Sequence, residues 1–527
     1  MLLGIMVWSV PSLPGQTTTG QPQSPPVEGP SKSPAALPLS ATERVLELSL
    51  MDAIRLTLQH NLDIERERFG PLIAHTEVEK ARANFDPAVG LDASVANTKF
   101  LPTREFITTG GVFVPERPFN ANAEIAPLLR QKIITGGGYE IRFVNTWEDV
   151  FPVNSGSVSR VIADPRFEHG VELTFQQPLL KNFGIAVNTA PIRQAQNTEQ
   201  FAEQRLLQTI LNAVLDVQRG YWDLVFRMQD LGAKQESQKL AEDFLAENKI
   251  RVELGTLAPI ELVQAETRVK TRQGDVIVAE SAVREAEDRL KEVMNIPETL
   301  GTWLIRIRPT DSPPFTILTP ISLDAQIDAA LKNRPDFVQS QLDIASRQID
   351  RDVARNQRLP QLDLEARVGV RAFGDKVDEG LAQLGDAEGY EWAVGLRFQY
   401  PLGNRFARNE LQRRNLELER ALVDQRKLIR TVVRELRQVV RDIETATKRV
   451  EVTRAATVLA QTQLEAEQEK FRLGLSTSFV VLDFQEDLTI ARSDETRAVS
   501  EYNVALARLD QLTGTLRYGA AAPTKAH

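Results

Sequence analysis

Cysteine is absent from the 527 residues, which excludes disulfides, thiol nucleophiles, cysteine metal sites and a lipid carried on an N-terminal cysteine. Histidine is scarce: His60, His75, His169 and His527 are scattered, with no pair at a ligand spacing such as i, i+4, so no metal site and no cofactor is expected. The formal net charge is -9 without a continuous basic tract, which leaves no electrostatic footprint for nucleic acid. Beyond the first residues no stretch has the roughly 18 to 20 uninterrupted apolar residues that a membrane-spanning helix needs, so any membrane crossing must be made by strands. Gly-x-Ser-x-Gly, Walker and Rossmann glycine patterns are all missing. The many carboxylates alternate with Lys and Arg along helical stretches and read as solvated faces, not as acid/base pairs, so no enzyme is expected.

What is present is length and repetition. Met1 to Val10 is apolar and is followed by Pro11 and Pro14, so residues 1–15 resemble the core and end of a secretory signal without its basic start. Residues 16–40 are dense in Pro, Ser, Thr and Gly and are expected to be disordered. The ordered chain divides into a first repeat, 41–296, a Pro-rich connector, 297–320, and a second repeat, 321–514, with a loose tail over 515–527. The two repeats align without a gap from Leu48/Ile321 through Asp63/Asp336 and Pro87/Pro360 to Val95/Val368. So long a period marks a doubled domain half, not a solenoid unit.

Each repeat opens with a Ser-capped amphipathic helix, Ser49 with Asp52 as capping partner in the first copy, running to about Asn84. A strand of period two follows: Val89, Leu91, Ala93 and Val95 in one copy, Leu362, Leu364, Ala366, Val368 and Val370 in the other. Val171–Pro178 and Val394–Pro401 read as the return strands. Between outgoing and return strands lie polar loops, Arg371 to Glu391 in the second repeat and a longer insertion, 99–168, in the first. That insertion contains a hairpin pattern, Tyr139, Ile141, Phe143 and Trp147 after the glycine triplet at 136–138, which either enlarges the main sheet or projects from it. The glycines read as a turn, since neither a lysine nor a helix follows to make a phosphate cradle.

Pro191–Val252 and Asn409–Arg472 are helical throughout, and at about 1.5 Å per residue each makes a rod of roughly 90 Å. Apolar residues recur along them by threes and fours, the seam of antiparallel coiled-coil packing. Both rods break at a Leu-Gly pair, in Lys249–Ala265 and in its echo Lys470–Phe484, where Gly255 and Gly474 serve as helix C-caps and Pro259 opens the return helix. The return helices end near Asn295 and Gly514. The fold class is α+β: an internal duplication in which long helical hairpins are joined to alternating strands. Four strands are too few for a closed barrel, and their edges invite pairing with other chains.

The duplicated helix starts, Asn333-Arg-Pro-Asp336, Gln177-Pro-Leu-Leu180 and the Leu-Gly turns together resemble the TolC-like outer-membrane efflux protein family over about Leu48 to Gly514. The resemblance implies a homotrimer in which each subunit gives strands to a shared transmembrane β-barrel in the outer membrane, while the helices form an α-barrel through the periplasm. It implies as partners a periplasmic adaptor protein, an inner-membrane transporter and outer-membrane lipid. It places adaptor contacts at Gly255, Thr256, Leu257, Gly474, Leu475 and Ser476. Phe471 stands where the resemblance places a gate tyrosine and Ser476 where it places a gate arginine, so the family's polar lock is not expected in that form. Glu261 matches the acidic partner of that lock. Of two constriction aspartates Asp483 matches one, whereas Val480 replaces the other. Three copies of Asp483 around a pore would set three carboxylates at a constriction and attract cations. The competing expectation is a periplasmic coiled-coil scaffold without a channel.

Overall fold

The computed structural model describes residues 45–99, 106–108, 111–113, 119–150, 154–155, 158–159, 166–255, 258–296, 303, 305–316, 321–386 and 388–515. The expected leader, the Pro/Ser-rich segment 16–40, Thr256, Leu257 and the tail from 516 lie outside the described residues.

The first described element is a strand, β1 (Val45–Leu48), and α1 (Leu50–His60) follows it. Ser49 caps α1 as expected: its Oγ accepts from the Asp52 amide at 3.1 Å and donates to the Asp52 carboxylate at 2.6 Å. The helix expected to continue to Asn84 is instead broken, and α2 (Leu62–Arg82) starts afresh. Asn61 makes the break, with extended ψ of 124° and a side-chain oxygen that accepts from the amides of Asp63 and Ile64. Apolar periodicity carries across such a cap, which is why the sequence reads as one helix.

A six-stranded antiparallel sheet is built next. Its strands from the first repeat are β2 (Ala88–Lys99), β5 (Phe119–Lys132), β6 (Gly138–Val150) and β9 (Arg166–Pro178); two short ribbons, β3 (Phe106–Thr108) with β4 (Gly111–Phe113) and β7 (Asn154–Ser155) with β8 (Val158–Ser159), interrupt them in chain order. A single turn, α3 (Ile185–Asn188), leads into α4 (Ala190–Glu253), which a tip turn joins to α5 (Pro259–Met294). The connector is not bare loop: β10 (Arg306–Pro309) pairs parallel with β1, and Ile307 and Leu48 are buried where they meet. Four residues are too few for a periodic signal. The second repeat repeats the plan with α6 (Leu323–Asn333), a break at Arg334 before Pro335, and α7 (Pro335–Gln357). Then come β11 (Gln361–Gly374), α8 (Val377–Asp386), β12 (Tyr390–Gln399), α9 (Arg405–Arg472) and α10 (Ser478–Thr513). The loop expected over 371–391 thus contains the end of a strand and a ten-residue helix.

The sheet order is β12-β11-β9-β6-β5-β2, so the hairpin left open by the sequence joins the main sheet between β2 and β9. One row of partners runs Val89, Leu129, Ile141, Leu173, Val368, Trp392, apolar on every strand. The opposite face is polar and laced with ion pairs, among them Arg142 with Asp92 and Glu124, Arg367 with Glu172, and Arg371 with Glu168 and Glu391. An exposed apolar face backed by a charged one is the pattern of a sheet between lipid and water. Among the described residues, no helix is long and apolar enough to cross a membrane.

Helices α4 and α9 have 64 and 68 residues, about 96 and 102 Å of rod. Each packs on the helix that returns beside it, and α10 packs also on α4 and α5. Within α4 a Cβ at Gly220 would lie 3.4 Å from the Leu290 side chain on α5, an ordinary van der Waals contact, so the two helices approach closely there while leaving room for a methyl group. Two buried tyrosines tie the connector to the rods. Tyr221 Oη donates toward the Leu48 carbonyl and the Asp311 carboxylate, and burial foremost pushes its pKa up to about 12. Tyr502 Oη donates to the Thr316 carbonyl at 2.7 Å.

Candidate functional site

The site predicted from sequence is the pair of hairpin tips, and both turns form for the expected backbone reason. Gly255 and Gly474 have φ of +69° and +76°, and open space surrounds both, so conformation and not crowding selects glycine. At the second tip the Leu475 amide donates to the Lys470 carbonyl and the Gly474 amide to the Phe471 carbonyl, satisfying the carbonyls at the end of α9. Pro259 opens α5 after an extended Ala258. Around these turns the apolar side chains of Ile250, Leu254, Ile260, Val263, Leu473 and Leu475 are exposed.

Behind the turns the four helices close on a small core. Phe471 is buried, its ring 5.0 Å from that of Phe244 on α4 and its face covered by the Arg251 guanidinium at 4.5 Å. Val481 and Leu482 from α10 and Val269 from α5 complete the cluster, so residues of both hairpins share one contact. Asn248 Nδ2 donates to Ser478 Oγ at 3.0 Å, a fully buried link from α4 to the first turn of α10.

Ser476 points back into its own hairpin and donates to the Glu467 carboxylate, which Lys470 also reaches at 2.9 Å. The Ser476 hydrogen bond first, and then Lys470, hold the Glu467 carboxyl below its ordinary value. Glu261 stands in the first turn of α5, where the helix dipole favours a negative charge. Its Oε2 is buried without a partner, and among the described residues its side chain makes no hydrogen bond or ion pair. No such link joins Glu261 to Phe471 or Ser476. Val480 is half-buried on α10.

Asp483 is exposed and lies 3.7 Å from Arg268 of α5. Arg268 also holds Glu486 at 2.8 Å, and Arg272 holds Glu486 at 3.0 Å and Asp275 at 3.1 Å. Two arginines of α5 thus bridge to two carboxylates of α10, and Arg268 lies 5.6 Å above the Phe479 ring. Sequence reasoning missed this network. Its signal was there: Arg268 and Arg272 at i, i+4 on one return helix, Asp483 and Glu486 at i, i+3 on the other. Phe244, Asn248 and Ser478 were missed for want of any motif. Among the described residues no group of three or more His, Cys, Asp or Glu is arranged to hold a metal ion.

Residues 162–295 and 326–515 match the model of the family described as outer membrane efflux protein. The chain belongs to that family. The family match begins after the hairpin of β5 and β6. Two curated relatives are similar: outer membrane protein TolC of Vibrio cholerae serotype O1, 22% identical over 354 residues that cover 65% of this chain and 76% of the relative, and outer membrane protein TolC of Escherichia coli (strain K12), 22% identical over 405 residues that cover 75% and 76%. The crystal structure of the CmeC outer membrane channel of Campylobacter jejuni has the same fold, with a TM-score of 0.61 at 15% identity over 88% of this chain and 85% of that one. The doubled helix-strand-hairpin plan is therefore the family's TolC-like fold.

Proposed function

We propose that the chain is the outer-membrane duct of an export system, a homotrimer whose subunits give their sheets to one barrel and their helices to one periplasmic tunnel. The observation that carries this reading is the union, in one chain, of a sheet apolar along a whole face with two helical hairpins whose long arms are each about 100 Å. A sheet with open edges cannot rest in lipid unsatisfied, and closure by further copies resolves that. The duct performs no chemistry: it is passive, and a periplasmic adaptor and an inner-membrane transporter supply recognition and energy.

The tips are the proposed mouth. The exposed leucines and isoleucines about Gly255, Gly474, Leu475 and Ser476 suit an apolar adaptor surface, and Thr256 and Leu257, next to Gly255 in sequence, are proposed as contacts with it. Phe471 closes the mouth by packing on Phe244, and the Arg268 and Arg272 bridges latch one hairpin to the other. Asp483 supplies one carboxylate per subunit to the constriction, tempered by Arg268, with Glu261 and Val480 beside it. Fractionation tests the function: a heat-resistant trimer in outer-membrane detergent extracts supports the duct, and a soluble extended oligomer in the periplasm would sink it in favour of a scaffold.

A further inference from the structure

The glycine triplet at 136–138 is the sequence motif that the mouth leaves unexplained, and its surroundings bear on the barrel. Gly136 has φ of +101°, and a Cβ there would lie 2.2 Å from the Asn182 carbonyl oxygen; a Cβ at Gly137 would lie 2.5 Å from the Gln176 carbonyl oxygen. The Gly184 amide donates to the Thr135 carbonyl at 3.0 Å, and Thr135 Oγ1 donates to Gln177 at 2.8 Å. The turn between β5 and β6 is therefore seated in the junction where β9 gives way to the helices. A hairpin anchored there runs the full height of the sheet: β5 and β6 have 14 and 13 residues, beside 13 in β9 and 14 in β11. Strands of about 9–11 residues already span a bilayer when tilted.

We propose that the assembled barrel has eighteen strands, six from each of three copies, closed by β12 of one copy pairing antiparallel with β2 of the next. This rests on the trimeric duct proposed above. Every neighbouring pair in the sheet is antiparallel, so the two open edges run in opposite directions, as closure requires. The apolar row from Val89 to Trp392 makes the face of the hairpin continuous with that of the other four strands, and with Ala88 opposite Gln399 the seam between copies sets Val89 against Phe398 and Val95 against Trp392, apolar on both sides. The register also closes. From Ala88 the partners run Arg130, Glu140, Thr174, Arg367, Ala393, and the sheet end of β12 is Gln399. If the copies meet base to base, Ala88 opposite Gln399, the stagger per copy is the step from 393 to 399, and over three copies it equals the strand number. A stagger equal to the strand number, with about 3.4 Å per residue and about 4.8 Å between strands, tilts the strands by about 35°, within the range barrels adopt. The same spacing gives a backbone diameter of about 34 Å, against about 23 Å if the hairpin stood aside and twelve strands closed the ring. An eighteen-stranded ring leaves an open aqueous lumen.

The full chain in detergent or nanodiscs, imaged as single particles, measures the ring. A barrel of about 34 Å is expected; a trimeric barrel of about 23 Å would overturn the strand count and leave the duct standing, while particles without a barrel would remove both. Because the chain has no cysteine, disulfides add a second reading. Ala93→Cys with Ile125→Cys, and Ile141→Cys with Leu173→Cys, are expected to link β2 to β5 and β6 to β9 within one copy. Ser94→Cys with Ala393→Cys is expected to link neighbouring copies into covalent oligomers. Loss of the two internal links, with β2 found cross-linked to β9 in their place, would overturn the proposal.

Discussion

Replacing Arg268 by Ala is expected to loosen the mouth without unfolding the rods. Arg268 is three-quarters buried and makes one short ion pair with Glu486, a longer one with the exposed Asp483, and a stacking contact with Phe479. Glu486 keeps Arg272 at 3.0 Å after the change, and Asp483, which loses its partner, is exposed, so no buried carboxylate is left alone and the large penalty for an orphaned charge does not arise. What is lost is one charge-assisted pair in a partly buried site, a weak contribution from Asp483 that solvent screens, and one cation-π contact. Together these come to about 1–2 kcal/mol per subunit. A loss of that size shifts the closed-to-open ratio of each subunit's tip by about tenfold. Planar-bilayer recording of the purified protein without its adaptor reads this directly: a higher open probability is expected for Arg268→Ala, with Arg268→Lys in between, since one ammonium cannot fork to two carboxylates. Unfolding monitored by circular dichroism serves as the control and should move little. If Arg268→Ala and the wild type gate alike, the bridge between α5 and α10 does not hold the mouth and the latch is wrong.

Phe471→Ala removes a buried ring that joins both hairpins, at a cost of about 3–5 kcal/mol, and limited proteolysis should then cut near residue 474 while the rest of the rods resists. Glu467 has a carboxyl held below its ordinary 4.5, so it stabilises the tip above that value and the contribution fades as pH falls below it toward the lowered folded value. Amide protection at the second tip, taken relative to the intrinsic exchange rate at each pH, is therefore expected to fall in acid, and Ser476→Ala should flatten that profile; an acid dependence that survives Ser476→Ala unchanged would contradict the assignment. Gly136 and Gly184 have similar φ of +101° and +106°, but only Gly136 is hemmed in. Gly136→Ala should sharply lower the yield of assembled protein in outer-membrane extracts and Gly184→Ala should do so only mildly; equal losses would show that strain, not close approach, sets the cost.

The rods, their capping glycines and the duplication were legible because each rests on a repeated local signal: seams of threes and fours, Leu-Gly turns, and two copies of Ser-capped starts. The break at Asn61 was not, because a side chain that caps a new helix leaves the apolar periodicity of its neighbours intact. Strand β5 was hidden by Asn120, Asn122 and Pro127, residues that argue against a central strand, although the partners of Pro127's neighbours run on without a change of register. The placement of the hairpin was settled by tertiary packing of Gly136 against Asn182, which no periodicity reports. At the mouth, Phe471 could be picked out but its partner Phe244 could not, because what pairs them is the crossing of two hairpins more than two hundred residues apart in sequence.

The central claim, a conducting duct whose mouth is lined by Asp483, is tested most directly by ion selectivity in planar bilayers. The account predicts stepwise, cation-preferring conductance from the reconstituted trimer, with the preference weakened in Asp483→Ala. A heat-resistant trimer that conducts nothing would contradict the duct, and conductance of unchanged selectivity in Asp483→Ala would remove that residue from the constriction.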